Sequence, residues 1–119
     1  MRVLLVDDEE ELVATLAERL SYRGIVADWS TSGKQALELV EKRDFDIAVL
    51  DVKMPNIGGI ELRRRLEKIR PGMRFIFVTG HGSEEDFVAG SAEAAYYLAK
   101  PLDIETLIAT LQGVMAHEK

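Results

Sequence analysis

The sequence predicts an α/β fold with a doubly wound parallel sheet. Three features point to it. Short apolar runs alternate with amphipathic segments five times along the chain, the pattern of serial βα units. The runs beginning at Arg2, Asp46 and Arg74 are continuously apolar after their first residue, as strands buried on both faces must be. Right-handed crossovers then leave doubly wound arrangements, with helices on both faces of the sheet.

Each element has its own signal. Arg2–Val6 reads as the first strand. Leu12, Val13, Leu16, Ala17 and Leu20 then recur at helical spacing, and Gly24 ends that helix. Ile25–Trp29 reads as the second strand. Ser32 and Gln35 match a capping box, which opens a helix with Ala36, Leu37 and Val40 inward. Asp46–Leu50 is the third strand. Leu62, Leu66 and Ile69 mark a third helix, stopped by Pro71 and Gly72. Arg74–Val78 is the fourth strand. A less apolar fourth helix starts near Ser83, with Asp86 at capping-box spacing. Ala95–Ala99 is a short fifth strand. Asp103 caps a fifth helix carrying Ile104, Leu107, Ile108, Leu111, Val114 and Met115, with Leu102 and Leu107 placed as a hydrophobic staple.

Composition narrows the function. At 119 residues the chain has room for one domain, spanning 1–119. It is 47% hydrophobic, enough for a core. No cysteine is present and the histidines are His81 and His117, which excludes disulfides and thiolate or multi-histidine metal sites. A net charge of −6 argues against bulk attraction to nucleic acid or anionic membranes. No apolar run approaches a membrane span. The N-terminus enters a strand and then an acidic cluster instead of a signal peptide, so the expected compartment is the cytoplasm.

In doubly wound sheets ligands sit beyond the carboxyl ends of the strands. There the sequence places Asp7, Asp8 and Glu9 after strand 1, Asp51 after strand 3, Thr79 after strand 4, and Lys100 with Pro101 after strand 5. With strands 1 and 3 as neighbours, Asp7, Asp8 and Asp51 converge. Two unit charges 4 Å apart repel by ~4 kcal/mol at an effective dielectric of 20, so the cluster needs compensation. Lys100 offsets one charge, and a hard oxygen-seeking cation such as Mg²⁺ (or Mn²⁺) suits the remainder. Such a pocket supports phosphoryl transfer. Asp51, central in the sheet, is the candidate nucleophile, giving an aspartyl phosphate. Asp8 and Asp7 read as metal ligands, one direct and one through water, and Thr79 as a hydrogen-bond donor to a phosphoryl oxygen.

Four segments at these strand ends carry a family resemblance: Leu4–Glu9 (LLVDDE), Val49–Pro55 (VLDVKMP), Val78–Gly82 (VTGHG) and Tyr97–Pro101 (YLAKP). Together, and in this order, the chain resembles a CheY-like receiver domain of two-component response regulators over essentially its whole length. The resemblance implies a flavodoxin-like (βα)5 sheet in the order 2-1-3-4-5. It implies that Asp51 accepts a phosphoryl group from a sensor histidine kinase or phosphotransfer protein, and that the domain is not otherwise an enzyme. It implies Mg²⁺ held by Asp8, Asp51 and the backbone carbonyl of Lys53, with Asp7 helping through water. Thr79 and Lys100 would contact the phosphoryl group, and the Lys100–Pro101 bond would be cis. Thr79 and Tyr97 would form the switch, changing the surface of the fourth helix, fifth strand and fifth helix. Lys53 and His81 would flank the phosphoryl group and tune its lifetime. The output would be a downstream protein, or an effector domain lying beyond Lys119, and phosphorylation-linked homodimerisation is a further expectation.

Plainer readings stand beside these. Asp8 also fits a helix N-cap with Glu11 at N3. Thr79 also fits a hydroxyl bonded to local backbone. Arg63, Arg64 and Arg65 read as a solvated helix face, and Trp29 has no assigned role. Glu93 stands where the family usually has a glycine before strand 5. A haloacid-dehalogenase-type phosphatase would want an Asp two residues after its nucleophile, where this chain has Lys53. A flavin or dinucleotide module would want a phosphate-cradling loop after strand 1, where Asp7 and Asp8 repel phosphate. A receiver-like binding module that is never phosphorylated remains the alternative.

Overall fold

The computed structural model describes residues 1–80 and 96–116. Five parallel strands, β1 (Arg2–Val6), β2 (Val26–Ser30), β3 (Ile47–Asp51), β4 (Arg74–Thr79) and β5 (Tyr97–Ala99), form one sheet in the order β2-β1-β3-β4-β5. Helices α1 (Glu10–Tyr22), α2 (Gly33–Lys42), α3 (Gly59–Ile69) and α4 (Ile104–Ala116) connect and cover it. The helix expected from Ser83, with Glu93 near its end, lies outside the described residues, so α4 is the fifth of the predicted helices. His81 and His117 lie outside them too.

The strand pleat explains the layers. Alternate residues of one strand point to opposite faces. Leu5, Val49, Ile76 and Val78 pack with Val13, Leu16 and Leu20 of α1 and Leu107, Leu111 and Val114 of α4. Leu4, Val6, Ala48, Leu50 and Phe77 pack with Ala36 and Val40 of α2 and Leu62 and Leu66 of α3. Most inward positions predicted for these helices are the buried ones; Leu12, Leu37, Ile69, Ile104 and Met115 are half-buried at the margins, and Met115 contacts the Arg74 guanidinium.

Local chemistry sets the element ends. Gly24 adopts φ +82°. Its N–H donates to the Ser21 carbonyl and that of Ile25 to the Leu20 carbonyl, closing α1 with a Schellman motif. Ile25 is thus committed to the helix cap, and β2 runs from Val26 to Ser30, one residue later than the expected Ile25–Trp29. The Ser32 hydroxyl accepts from the Gln35 N–H at 3.2 Å. The return half of that box is shifted: the Gln35 side chain accepts from Thr31 N–H, one residue before the cap. The N-cap of α1 is Glu9, which excludes Asp8 from that role. Arg63 departs from the solvated face expected of the arginine run, lying 5.4 Å above the Phe75 ring, while Arg64 and Arg65 pair with Glu61 on the surface.

Asp103 caps α4 as expected, its carboxylate accepting from the Thr106 N–H at 2.9 Å and the Thr106 hydroxyl at 3.1 Å. Asp103→Ala is expected to cost ~1 kcal/mol, read as a lower urea midpoint with an unchanged denaturant slope.

Candidate functional site

Two ladders run one residue further than the apolar runs suggest, and this places the site. Asp51 is the last residue of β3 and Thr79 the last of β4, where the sequence put both just beyond. Beyond those ends the pairing continues: Val52 N–H donates to Val78 O and Lys100 N–H to Thr79 O, both at 2.9 Å. Asp51 therefore sits on rigid backbone between β1 and β4.

Three carboxylates meet there. Oxygens of Asp7, Asp8 and Asp51 all lie within 4.8 Å of one another. Asp7 and Asp51 are buried and Asp8 is exposed. Asp7 Oδ1 accepts from the Glu9 backbone N–H at 2.9 Å, which folds the turn after β1 back toward the sheet. Lys100 reaches in from beyond β5. Its Nζ stands 2.9 Å from Asp7 Oδ2, 2.9 Å from Glu9 Oε1 and 3.6 Å from Asp51 Oδ2. The Lys100–Pro101 peptide bond is cis.

The electrostatics follow from this crowding. Burial, then repulsion from Asp7, pushes the Asp51 carboxyl up to about 6, even though Lys100 opposes the rise. The Asp7 carboxyl is raised as well, because burial outweighs its hydrogen bonds to Glu9 N–H and Lys100. Burial disfavours the Lys100 ammonium, but bonding to Asp7 and Glu9 outweighs it, so its pKa is raised and it stays charged. One ammonium thus faces the carboxylates of Asp7, Glu9 and Asp51, while Asp8 adds further negative charge beside Asp51, which is left under-compensated. A set of converging hard oxygen donors with excess negative charge fits a small divalent cation, and excludes one that needs sulfur or nitrogen.

The remaining candidates are placed as follows. Thr79 is buried, and its hydroxyl donates to the Leu98 carbonyl at 3.5 Å, a contact to β5. Tyr97, on β5, is 60% exposed. Lys53 is exposed in the loop after β3, and its backbone N–H is turned to the Asp51 carboxylate.

Two contributors were not singled out from the sequence. Glu9 was read only as part of the acidic turn, yet it holds Lys100. Gly59 opens α3 against the backbone of Asp51: a Cβ there would overlap the Asp51 carbonyl oxygen and lie 2.9 Å from its carbonyl carbon. The signal available was the Gly58–Gly59 pair at a helix start, where close backbone approach is a reason for glycine.

A doubly wound sheet with an acid cluster and one lysine at its carboxyl ends defines a CheY-like α/β protein. The response regulator receiver domain family matches residues 3–112, and the chain belongs to that family, whose members act in two-component systems. The transcriptional regulatory protein TcrA of Mycobacterium tuberculosis is 35% identical over 115 residues, covering 96% of this chain and 46% of TcrA. The chain thus spans about half the length of that relative. A CheY-like receiver domain from Methanospirillum hungatei superposes with a TM-score of 0.84 at 31% identity, over 94% of this chain and 90% of that one. A response regulator from Burkholderia pseudomallei, solved with a phosphorylated aspartic acid, a calcium ion and citrate, superposes with a TM-score of 0.80 at 27% identity, covering 98% and 75%. No helix among the described residues is long and apolar enough to cross a membrane.

Proposed function

We propose that residues 1–119 form a single receiver domain in which Asp51 accepts a phosphoryl group from a phosphohistidine of a sensor kinase or phosphotransfer protein in the cytoplasm. One observation carries the reading: the Asp7, Asp8 and Asp51 carboxylates gather within 4.8 Å, beside a lysine ammonium 2.9 Å from Asp7. The phosphorylated aspartic acid of the Burkholderia relative is consistent with it.

An Asp51 carboxylate oxygen attacks phosphorus. The new O–P bond forms as the bond to the donor breaks, and its electron pair leaves with the donor nitrogen, or with acetate when acetyl phosphate is the donor. Asp7, Asp8, Asp51 and the Lys53 carbonyl would hold Mg²⁺, or Mn²⁺, which when bound screens charge on the transferring oxygens. Lys100 supplies a further positive charge and Thr79 a hydroxyl donor to those oxygens. For Thr79 to do so its hydroxyl leaves the Leu98 carbonyl, 3.5 Å away, and so loosens its tie to β5. That displacement is the proposed origin of the Tyr97 switch, which would change the surface beside β5 for a downstream protein, an attached effector domain or a second copy of the chain.

The test is incubation with Mg²⁺ and acetyl phosphate followed by intact-mass measurement. The expected result is gain of one phosphoryl group, lost in Asp51→Asn and on chelation of the metal. An unchanged mass in the wild-type protein overturns the reading and leaves a binding module.

The family resemblance assigns the lifetime of the product to Lys53 and His81. Lys53→Ala and His81→Ala are each expected to change the dephosphorylation rate severalfold while leaving acceptance intact. Decay followed by mass after removal of donor checks this, and decay at the wild-type rate in both variants counts against any tuning role.

A further inference from the structure

Glu9 occupies the N-cap of α1, yet its side chain makes no capping hydrogen bond. Glutamate is not among the residues favoured there, whose short side chains reach the orphan N–H groups of the first turn. Instead its carboxylate crosses to Lys100, 91 residues away in sequence, at 2.9 Å. Asp7 and Glu9 together hold the ammonium, and Asp51 is left at 3.6 Å, beyond hydrogen-bond distance for a charged pair.

We propose that Glu9 is a positioning residue: it draws the Lys100 ammonium away from Asp51 and so keeps the Asp51 oxygens available to a divalent cation. An ammonium with three donors and only Asp7 to hold it would swing to Asp51, the nearest carboxylate with little compensation. There it would compete with the cation for the same oxygens. Glu9 removes that competition without touching the cation itself. Its side chain is 62% exposed, so the effect is a modest bias and not a lock. The inference builds on the proposed metal site, but it concerns the placement of Lys100 and does not require that Asp51 be phosphorylated.

The experiment is a double-mutant cycle on Mg²⁺ affinity, measured by calorimetry on the whole chain with Mg²⁺ alone. Glu9→Gln keeps the size and removes the charge, and an exposed side chain that makes no capping hydrogen bond spares the fold. With Lys100 present, Glu9→Gln is expected to weaken Mg²⁺ about fivefold; in a Lys100→Met background the loss is expected to be less than twofold, because no ammonium is left to redirect. Equal losses in both backgrounds, the signature of a simple field effect, overturn the proposal, as does no loss in either. A second readout needs no metal: the Lys100 ¹⁵Nζ resonance of the metal-free protein. Its response to Asp51→Asn is expected to be larger in Glu9→Gln than with Glu9 intact, and an equal response overturns the proposal even if Mg²⁺ does not bind. Failure of the acetyl phosphate assay, by contrast, bears on the phosphoacceptor role and leaves this cycle interpretable.

Discussion

Asp51→Asn is expected to stabilise the metal-free protein at neutral pH, by an amount that vanishes in acid. The Asp51 carboxyl is pushed from 3.8 to about 6 in the folded protein. Between those values the folded chain binds more protons at this site than the unfolded chain does. Stability therefore falls as pH rises through that window, and the loss is complete above about pH 6. At ~1.4 kcal/mol per pKa unit, the penalty in wild-type protein is roughly 3 kcal/mol at neutral pH. An asparagine of similar shape carries no such charge, so its melting temperature should lie several degrees above wild type at pH 7.5 and coincide with it near pH 3.5. Mg²⁺ should close the gap at neutral pH, because binding to the folded wild-type cluster stabilises that protein preferentially. Thermal melts at the two pH values, with and without Mg²⁺, check the three outcomes together. A lower melting temperature for Asp51→Asn at pH 7.5 without metal would show that the cluster is already compensated.

Gly59→Ala is expected to be the most damaging single methyl in the described part of the molecule. Its Cβ would overlap the Asp51 carbonyl oxygen and press on the Val52 Cα at 3.0 Å. Neither neighbour is the far end of a flexible side chain. Both belong to the end of the central strand, which is fixed by the Val52 N–H bond to Val78 and by the Gly59 N–H bond to Val52 O, each 2.9 Å. Relief requires moving the start of α3 or the peptide that carries the candidate nucleophile. Overpacking of this kind costs about 3 kcal/mol, and displacement of Asp51 should also slow phosphoryl acceptance in the fraction that stays folded. Gly72, whose added Cβ would meet nothing within 4 Å, is the control; Gly72→Ala should change stability by less than ~0.5 kcal/mol. Urea unfolding of both variants gives the comparison, and equal midpoints would mean that α3 yields freely.

Much of this was legible in the sequence because the relevant forces are local or periodic. Apolar runs around Leu4, Val49 and Phe77 announced strands buried on both faces, and the helical spacing of Leu16, Leu20, Leu107 and Leu111 announced the helices that cover them. The convergence of Asp7, Asp8 and Asp51 followed from the strand ends once strands 1 and 3 were taken as neighbours, the order that the family resemblance implies. What escaped was set by contacts between distant segments. Ile25 looks like a strand residue by composition, but its N–H closes the helix before it. Asp51 and Thr79 look like loop residues because they are polar, but the ladders to their neighbours extend through them. Glu9 looks like one more surface acid, and only its approach to Lys100 gives it a part in the site. Arg63 looks like its two neighbours until Phe75 is placed beneath it.

The Lys100–Asp7 contact joins the turn after the first strand to the residue after the last, across the ends of β3 and β4; that last strand is an edge of three residues that pairs with β4. Synthesis runs from Asp7 to Lys100, so a growing chain acquires every acid of the cluster long before its counter-charge. Arrival of the last strand completes the sheet edge and brings the cluster its one ammonium in the same event.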